Sequence, residues 1–287
     1  MNFVTFADGT SNLPGRLLGG IRLLPCAYTI DGVQATYDGN LDAFDARAYY
    51  DRLRNGSVVK TSLLNTQLFL EAFRPVLQAG KDVIYIAMSS GISGTFQAAR
   101  IAAAELMEDF KGRLVHIVDS RTCGLGTGML AVLSSELDSK DVPAKEAAAI
   151  LDEEVEHCCS YFTVDDLNFL KKTGRVSGAT AMIGTALQIK PILLGSSEGN
   201  IIACAKVRGR KRSIEALAEK YREKAVDPDT RRVYISHGDC RDDAEYLAKL
   251  LRQIKAPKEL VICQHEPFSG SHVGPGMLGL FFYGRER

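Results

Sequence analysis

The sequence carries no surplus of either charge. Thirty-five basic residues balance thirty-five acidic ones over 287 residues, so no global field draws the chain onto nucleic acid or an anionic bilayer. It also lacks paired cysteine motifs. Cys26, Cys123, Cys158, Cys159, Cys204, Cys240 and Cys263 form no CxxC and are odd in number, which argues against a zinc knuckle and against a disulfide framework. They read as small reduced core residues. No stretch approaches the ~20 uninterrupted apolar residues of a membrane-spanning helix, and the start, MNFVTFADGTS, has no basic segment followed by an apolar run. A cytoplasmic protein without integral membrane association is expected. Internal repeats and low-complexity tracts are missing, and no spacing of His and carboxylate residues suggests a metal site.

What is present is an ordinary globular composition, 46% hydrophobic and 24% charged, at a length that suits two domains. The chain is organised around Lys81 to Arg100, KDVIYIAMSSGISGTFQAAR. Val83 to Met88 is a branched, apolar run of strand length. It breaks at SSGISGT, whose glycines let the backbone approach a ligand closely. Thr95 then caps a helix, so that free N–H groups of its first turn face the loop. In outline this is an anion site, although many strand-to-helix turns carry Gly and Ser only to make the corner.

The first half repeats that pattern. Phe3 to Phe6 ends in ADGTSNLP; SVVKTSLLNT places Thr61 and Ser62 side by side before a helix; Leu114 to Val118 ends in DSRTCGLGTG. Asp45 caps a helix with Tyr49 and Leu53 on one face, and Pro143 starts another. Strand, small polar loop and helix in alternation predict a parallel sheet whose loops collect at one edge, where ligands of open α/β sheets bind. The second half has a different grammar. Pro191 to Leu194 and Ile201 to Val207 are joined by GSSEGN as a hairpin, and helices over Ser213 to Lys224 and Asp242 to Gln253 alternate with strands at Arg232 to Ser236 and Leu260 to Gln264. The expected fold is α/β with two domains, an N-terminal Rossmann-like parallel-sheet domain over 1–160 and a C-terminal mixed or antiparallel α/β domain over 161–287. The glycine-broken stretch from Asp165 to Leu193 is expected to line a ligand cleft between them.

Taken together, ADGTSNLP, the Thr61 and Ser62 pair, SSGISGTF, VDSRT, KKTGRVSG to KPIL, KVRGRK and GSHVGPG resemble the DegV family in order and spacing over nearly the whole chain. These are bacterial fatty-acid-binding proteins that serve as the lipid-carrying subunit of fatty acid kinase. The chain departs from the family pattern at Gly9, where a serine is usual, and at Leu63 and Leu64, where a Gln-Pro-like segment is usual. The resemblance implies a long-chain fatty acid as ligand, no cofactor, and a fatty acid kinase catalytic subunit as partner, feeding phospholipid synthesis. It implies a carboxylate site made of Thr61 or Ser62, Ser93 with the backbone N–H groups of Ser93 and Gly94, and His272. Arg208 falls on the family's basic residue for the phosphate or for partner docking.

An acyl hydrolase with Ser93 as nucleophile and His272 as base is the alternative. It has no GxSxG elbow and no evident acid to orient the histidine. GSHVGPG is expected to hold His272 in a turn, its imidazole near the reference pKa of ~6.5. His116, His157, His237 and His265 read as structural or surface residues.

Overall fold

The computed structural model describes residues 2–177 and 188–287. The chain divides into two compact units, residues 1–43 with 59–156, and residues 44–58 with 157–287.

In chain order the first half forms β1 (Phe3–Asp8), β2 (Arg22–Leu24), β3 (Cys26–Ile30), β4 (Val33–Tyr37), α1 (Ala46–Arg54) and β5 (Val59–Thr61), then α2 (Thr66–Gln78), β6 (Asp82–Ala87), α3 (Thr95–Asp109), β7 (Val115–Asp119), α4 (Leu125–Ser139) and α5 (Ala144–Val155). Strands β2, β1, β6 and β7 lie in that order, all parallel. Val83 to Ala87 are buried without alternation, because helices cover both faces of such a sheet. Helices α2 and α4 pack on β6, α4 also on β1, and α3 and α5 against β7. The predicted parallel sheet is therefore present, its loops at the carboxyl edge. A separate antiparallel sheet, β4, β3 and β5 in order, ends at Thr61.

The second unit holds β8 (Cys158–Thr163), α6 (Asn168–Thr173), β9 (Val176–Ser177), β10 (Ile189–Gly195), β11 (Ile201–Arg208), α7 (Arg210–Lys224) and β12 (Arg232–His237), followed by α8 (Arg241–Ile254), β13 (Glu259–Gln264), α9 (Pro267–Val273) and β14 (Leu278–Tyr283). Its seven strands run β13, β12, β14, β8, β10, β11, β9. Strands β12 and β13 are parallel around α8, and β10 with β11 makes the predicted antiparallel hairpin. Ile214, Leu217 and Tyr221 of α7, with Leu247 and Leu251 of α8, bury against Tyr161, Ile192, Val233 and Phe282 of the sheet. This is a mixed sheet, with α7 and α8 packed on it.

The sequence alone placed α1 in the N-terminal half. It belongs to the second unit, because the Tyr49 hydroxyl donates to the Pro267 carbonyl at 2.6 Å and the Tyr50 hydroxyl to the His265 carbonyl at 3.0 Å. Helix α7 starts at Arg210 rather than Ser213; the Ser213 hydroxyl donates to the Arg210 carbonyl at 2.7 Å and so serves inside the first turn. Of the stretch from Asp165 to Leu193 expected to line a cleft, residues 178–187 lie outside the described residues.

Candidate functional site: a hydroxyl corner in the first unit and a fixed histidine in the second

Strand β6 delivers its loop to the start of α3, and the loop is folded by its own hydrogen bonds. The Ile92 and Ser93 N–H groups donate to the Ser89 carbonyl, both at 3.2 Å, and Gly91 N donates to Ser89 Oγ at 3.1 Å. The Ser93 N–H is thus already engaged, contrary to the expectation that it would face a ligand. Among the described residues none accepts from the Gly94 N–H. Gly94, not Thr95, is the cap residue of α3, and it supplies no side-chain bond. Ser93 takes that part: its Oγ accepts from Thr95 N at 3.2 Å while its hydroxyl donates to Thr95 Oγ1 at 3.0 Å.

Thr95, buried at 3% exposure, is the joint of the corner. Its Oγ1 accepts from Leu64 N at 3.2 Å, which ties the loop after β5 to the start of α3. The structure so brings the Thr61–Ser62 loop and the Ser93–Gly94 loop together. Thr61 pairs with Tyr28 in β3, Ser62 N donates to the Ala27 carbonyl at 3.1 Å, and the Ser62 side chain is exposed. Leu63 lies across Gly94, where a Cβ would meet Leu63 Cδ2 at 3.3 Å. No acidic residue stands in the first turn of α3, so the helix itself sets no negative charge against the positive end of its dipole at the corner.

Two further motifs support the loop from behind. Asp119, at the end of β7 in VDSRT, accepts from Ser90 N and Arg121 N, both at 3.1 Å, and the Thr122 carbonyl accepts from Ser89 N at 2.9 Å. Asp8, 1% exposed, accepts from Thr10 N at 3.0 Å, from the Thr10 hydroxyl, and from the Tyr85 hydroxyl at 3.0 Å. Burial raises its pKa, and those hydrogen bonds pull the other way. The Gly9 departure has a steric basis: a Cβ there would sit 3.3 Å from Gly39 N, Tyr37 Cδ1 and the Tyr37 carbonyl oxygen.

In the second unit His272 stands in the last turn of α9, not in a turn as expected. The helix forms because Glu266 caps it, accepting from Phe268 N at 2.5 Å and Ser269 N at 2.8 Å, with Pro267 at the first helical position. The glycines of GSHVGPG then end it. Gly274 and Gly276 have φ of 75° and 77°, and Cβ atoms there would come within 2.4 Å of the Phe169 ring and 2.1 Å of Asp165 Oδ2. Burial first, and then Arg175, lower the His272 pKa to about 4. The imidazole is therefore neutral at pH 7, well below the reference value expected for it. The basic stretch splits by environment. Arg208 is exposed, whereas Arg210 is tied to Asp243 at 2.8 Å and to Asp165 at 3.6 Å.

The remaining histidines each have a structural partner: His116 with Asp152 at 3.0 Å, His157 with the Arg285 carbonyl at 2.9 Å, His237 accepting from Cys240 N at 3.3 Å, and His265 between two serines. Thr95, Asp119 and Glu266 were not singled out for the site from sequence. The Thr95 signal was its position two residues after Ser93; burial of Glu266 had no signal at all.

The family model described as "Uncharacterised protein, DegV family" matches residues 3–285. The chain belongs to the DegV family. A DegV domain-containing protein of Clostridium perfringens is 35% identical over 285 residues, 98% of this chain and 97% of that protein. Among solved structures, a DegV family protein of Thermus thermophilus described for its fatty acid binding superposes with a TM-score of 0.88 at 28% identity, covering 99% of this chain and 100% of that one. A DegV lipid-binding protein of Thermotoga maritima gives 0.86 at 27% identity, with both chains fully covered. Among the described residues no helix is long and apolar enough to cross a membrane.

Proposed function

We propose that this chain is a carrier that binds one long-chain fatty acid, holds its carboxylate at the hydroxyl corner, and presents it to a partner kinase. The observation that carries the reading is the corner itself: Ser93, Thr95 and the Leu64 N–H joined at the start of a 15-residue helix, with no acidic residue in its first turn. A carboxylate removed from water without partners costs several kcal/mol, and neutral donors at a helix N-terminus offset that cost. Burying ~14 methylenes at ~0.8 kcal/mol each gives about 11 kcal/mol before entropy losses, so the tail supplies most of the affinity. Fatty acid binding by the Thermus relative and lipid binding by the Thermotoga relative support the same assignment.

The finer part concerns the kinase. A carboxylate oxygen of the bound acid attacks the γ-phosphorus of ATP on the partner, ADP leaves, and the acyl phosphate passes to phospholipid synthesis in the cytoplasm. Thr61, Ser62, Ser93, Gly94 and His272 serve the carboxylate, Arg208 serves the phosphate or the partner, and the carrier needs no cofactor. The hydrolase alternative is disfavoured because the Ser93 hydroxyl donates to Thr95 and because an imidazole with a pKa near 4 is a weak base.

Mass spectrometry of lipid extracted from the purified protein tests the first part, with about one fatty acid per chain expected. Protein that copurifies without lipid and ignores added oleate would overturn it. Incubation with ATP and the bacterium's own fatty acid kinase subunit, trapping acyl phosphate with hydroxylamine, tests the second; a bound acid that is never phosphorylated would leave a carrier and remove the kinase.

A further inference from the structure

Beneath α9 lies a buried row of polar side chains that the carboxylate corner does not use. His265 is 1% exposed, Ser236 and Glu266 are 0%, and Ser269 is 7%. Ser236 Oγ lies 3.0 Å from His265 Nδ1, and Ser269 Oγ lies 2.9 Å from His265 Nε2. Ser269 Oγ also meets the Glu266 carboxylate in a short contact.

The donors and acceptors can be assigned in only one order while Glu266 is ionised. A carboxylate only accepts, so the single Ser269 hydroxyl proton goes to Glu266. Ser269 Oγ must then accept from His265 Nε2–H. That tautomer leaves His265 Nδ1 as an acceptor, filled by the Ser236 hydroxyl. The row thus has one direction, from the end of β12 through the imidazole to the cap of α9. Burial, and then His237, push the His265 pKa down to about 3, which keeps the ring in the neutral form this order requires.

An N-cap alone would need only the two backbone N–H bonds to Glu266. The serine, imidazole and second serine extend the cap into the sheet, and the Tyr49 and Tyr50 hydroxyls fix the carbonyls of Pro267 and His265 from the other side. A Cβ at Gly270 would come 2.6 Å from the Tyr50 oxygen, so α9 is seated against that ring. A helix of seven residues does not hold itself in water. Its geometry, and that of His272 in its last turn, depends on these attachments together with its packing against α6.

The geometry points to Ser236, His265, Ser269 and Glu266 as positioning residues for His272. They set where its imidazole meets the ligand head group. This rests on the role given to His272 in the proposed carrier function.

The test compares wild type, Ser269→Ala, Ser269→Thr and His272→Ala. The first readout, on lipid-free protein, is the His272 ring 1H–13C signal by NMR. In Ser269→Ala it should shift or split, and in Ser269→Thr, which keeps the hydroxyl, it should return toward the wild-type position. The second readout is the carboxyl resonance of bound 13C-carboxyl palmitate, which should move in Ser269→Ala toward its place in His272→Ala. A wild-type His272 ring signal in Ser269→Ala would overturn the proposal whatever the lipid does. A palmitate signal unchanged in His272→Ala, with the ring signal moved in Ser269→Ala, would instead remove His272 from the head group and leave the positioning intact. Should Ser269→Ala fail to fold, Ser236→Ala interrupts the same row from the sheet, and an unmoved His272 ring signal there overturns the proposal equally.

Discussion

Thr95 shows how a hydroxyl can matter more for what it joins than for what it touches. Its Oγ1 accepts from both the Ser93 hydroxyl and the Leu64 N–H. Thr95→Val keeps the shape and leaves the Leu64 N–H without its acceptor, so a loss of about 1–3 kcal/mol is expected by urea denaturation. Fatty acid dissociation should be faster in the same variant, because Ser93 loses its acceptor; an unchanged release rate with reduced stability would separate the joint from the site. At this scale the sequence was half legible. Ser93, Gly94 and the Thr61–Ser62 pair are visible as small polar residues at the ends of apolar runs. Asp119 and Glu266 look like any acidic residue in a loop, and only the folded chain aims Asp119 at Ser90 N and buries Glu266 beneath a helix. His272 illustrates the remainder, since burial is not written in GSHVGPG and its pKa follows from burial.

At the scale of elements, α7 and α9 differ most from what their sequences suggest. Helix α7 begins inside the basic stretch, where Arg210, Lys211 and Arg212 occupy a first turn that the helix dipole disfavours for cations. Arg210 tolerates that position because Asp243 and Asp165 hold its guanidinium. Arg210→Ala should therefore destabilise the second unit by about 1–2 kcal/mol, read as a lower thermal midpoint. Arg208→Ala, at an exposed site, should leave that midpoint alone and slow phosphorylation by the kinase. Equal effects of the two variants on the midpoint would contradict the division. Helix α9 was illegible as a helix, because seven residues with serine at two positions and glycine at a third carry no periodic pattern. His272→Ala should lower acyl phosphate production at least tenfold, with a smaller fall in retained lipid, measured on one preparation; production at the wild-type rate would count against its place at the head group.

At the scale of the whole molecule the buried groups that titrate in the two units are shifted so that acid should act on them in opposite directions. His237 and His265 have pKa values lowered to about 4 and about 3, burial being the first cause in each. Unfolding returns them to ~6.5, so between that value and their folded values the unfolded chain binds more protons. Stability of the second unit then falls as pH drops below ~6.5, by up to roughly 1.4 kcal/mol per pH unit for each fully buried ring. Asp8, in the first unit, has its pKa raised from 3.8. Between 3.8 and its folded value the folded form binds the extra proton, so acidification favours that unit. Hydrogen exchange at pH 7 and pH 5 should show faster exchange at pH 5, after correction for intrinsic rates, in the strands of the second unit and not in β1, β6 and β7. A uniform response would contradict the assignment. The two-domain α/β plan was legible because the halves differ in strand and loop grammar. The passage of α1 into the second unit was not, since an amphipathic helix reads the same whichever sheet it serves.

That passage has a consequence for how the protein is made. On the ribosome α1 emerges well before the carbonyls that receive its tyrosine hydroxyls. Tyr50 and His265 are separated by 215 positions, and at ~5–20 residues per second the helix waits on the order of 10–40 s for its partner. During synthesis its apolar face, with Tyr49, Tyr50 and Leu53, is a segment for a chaperone to shield. Completion of the second unit is thereby deferred until the residues up to His265 and beyond have been made.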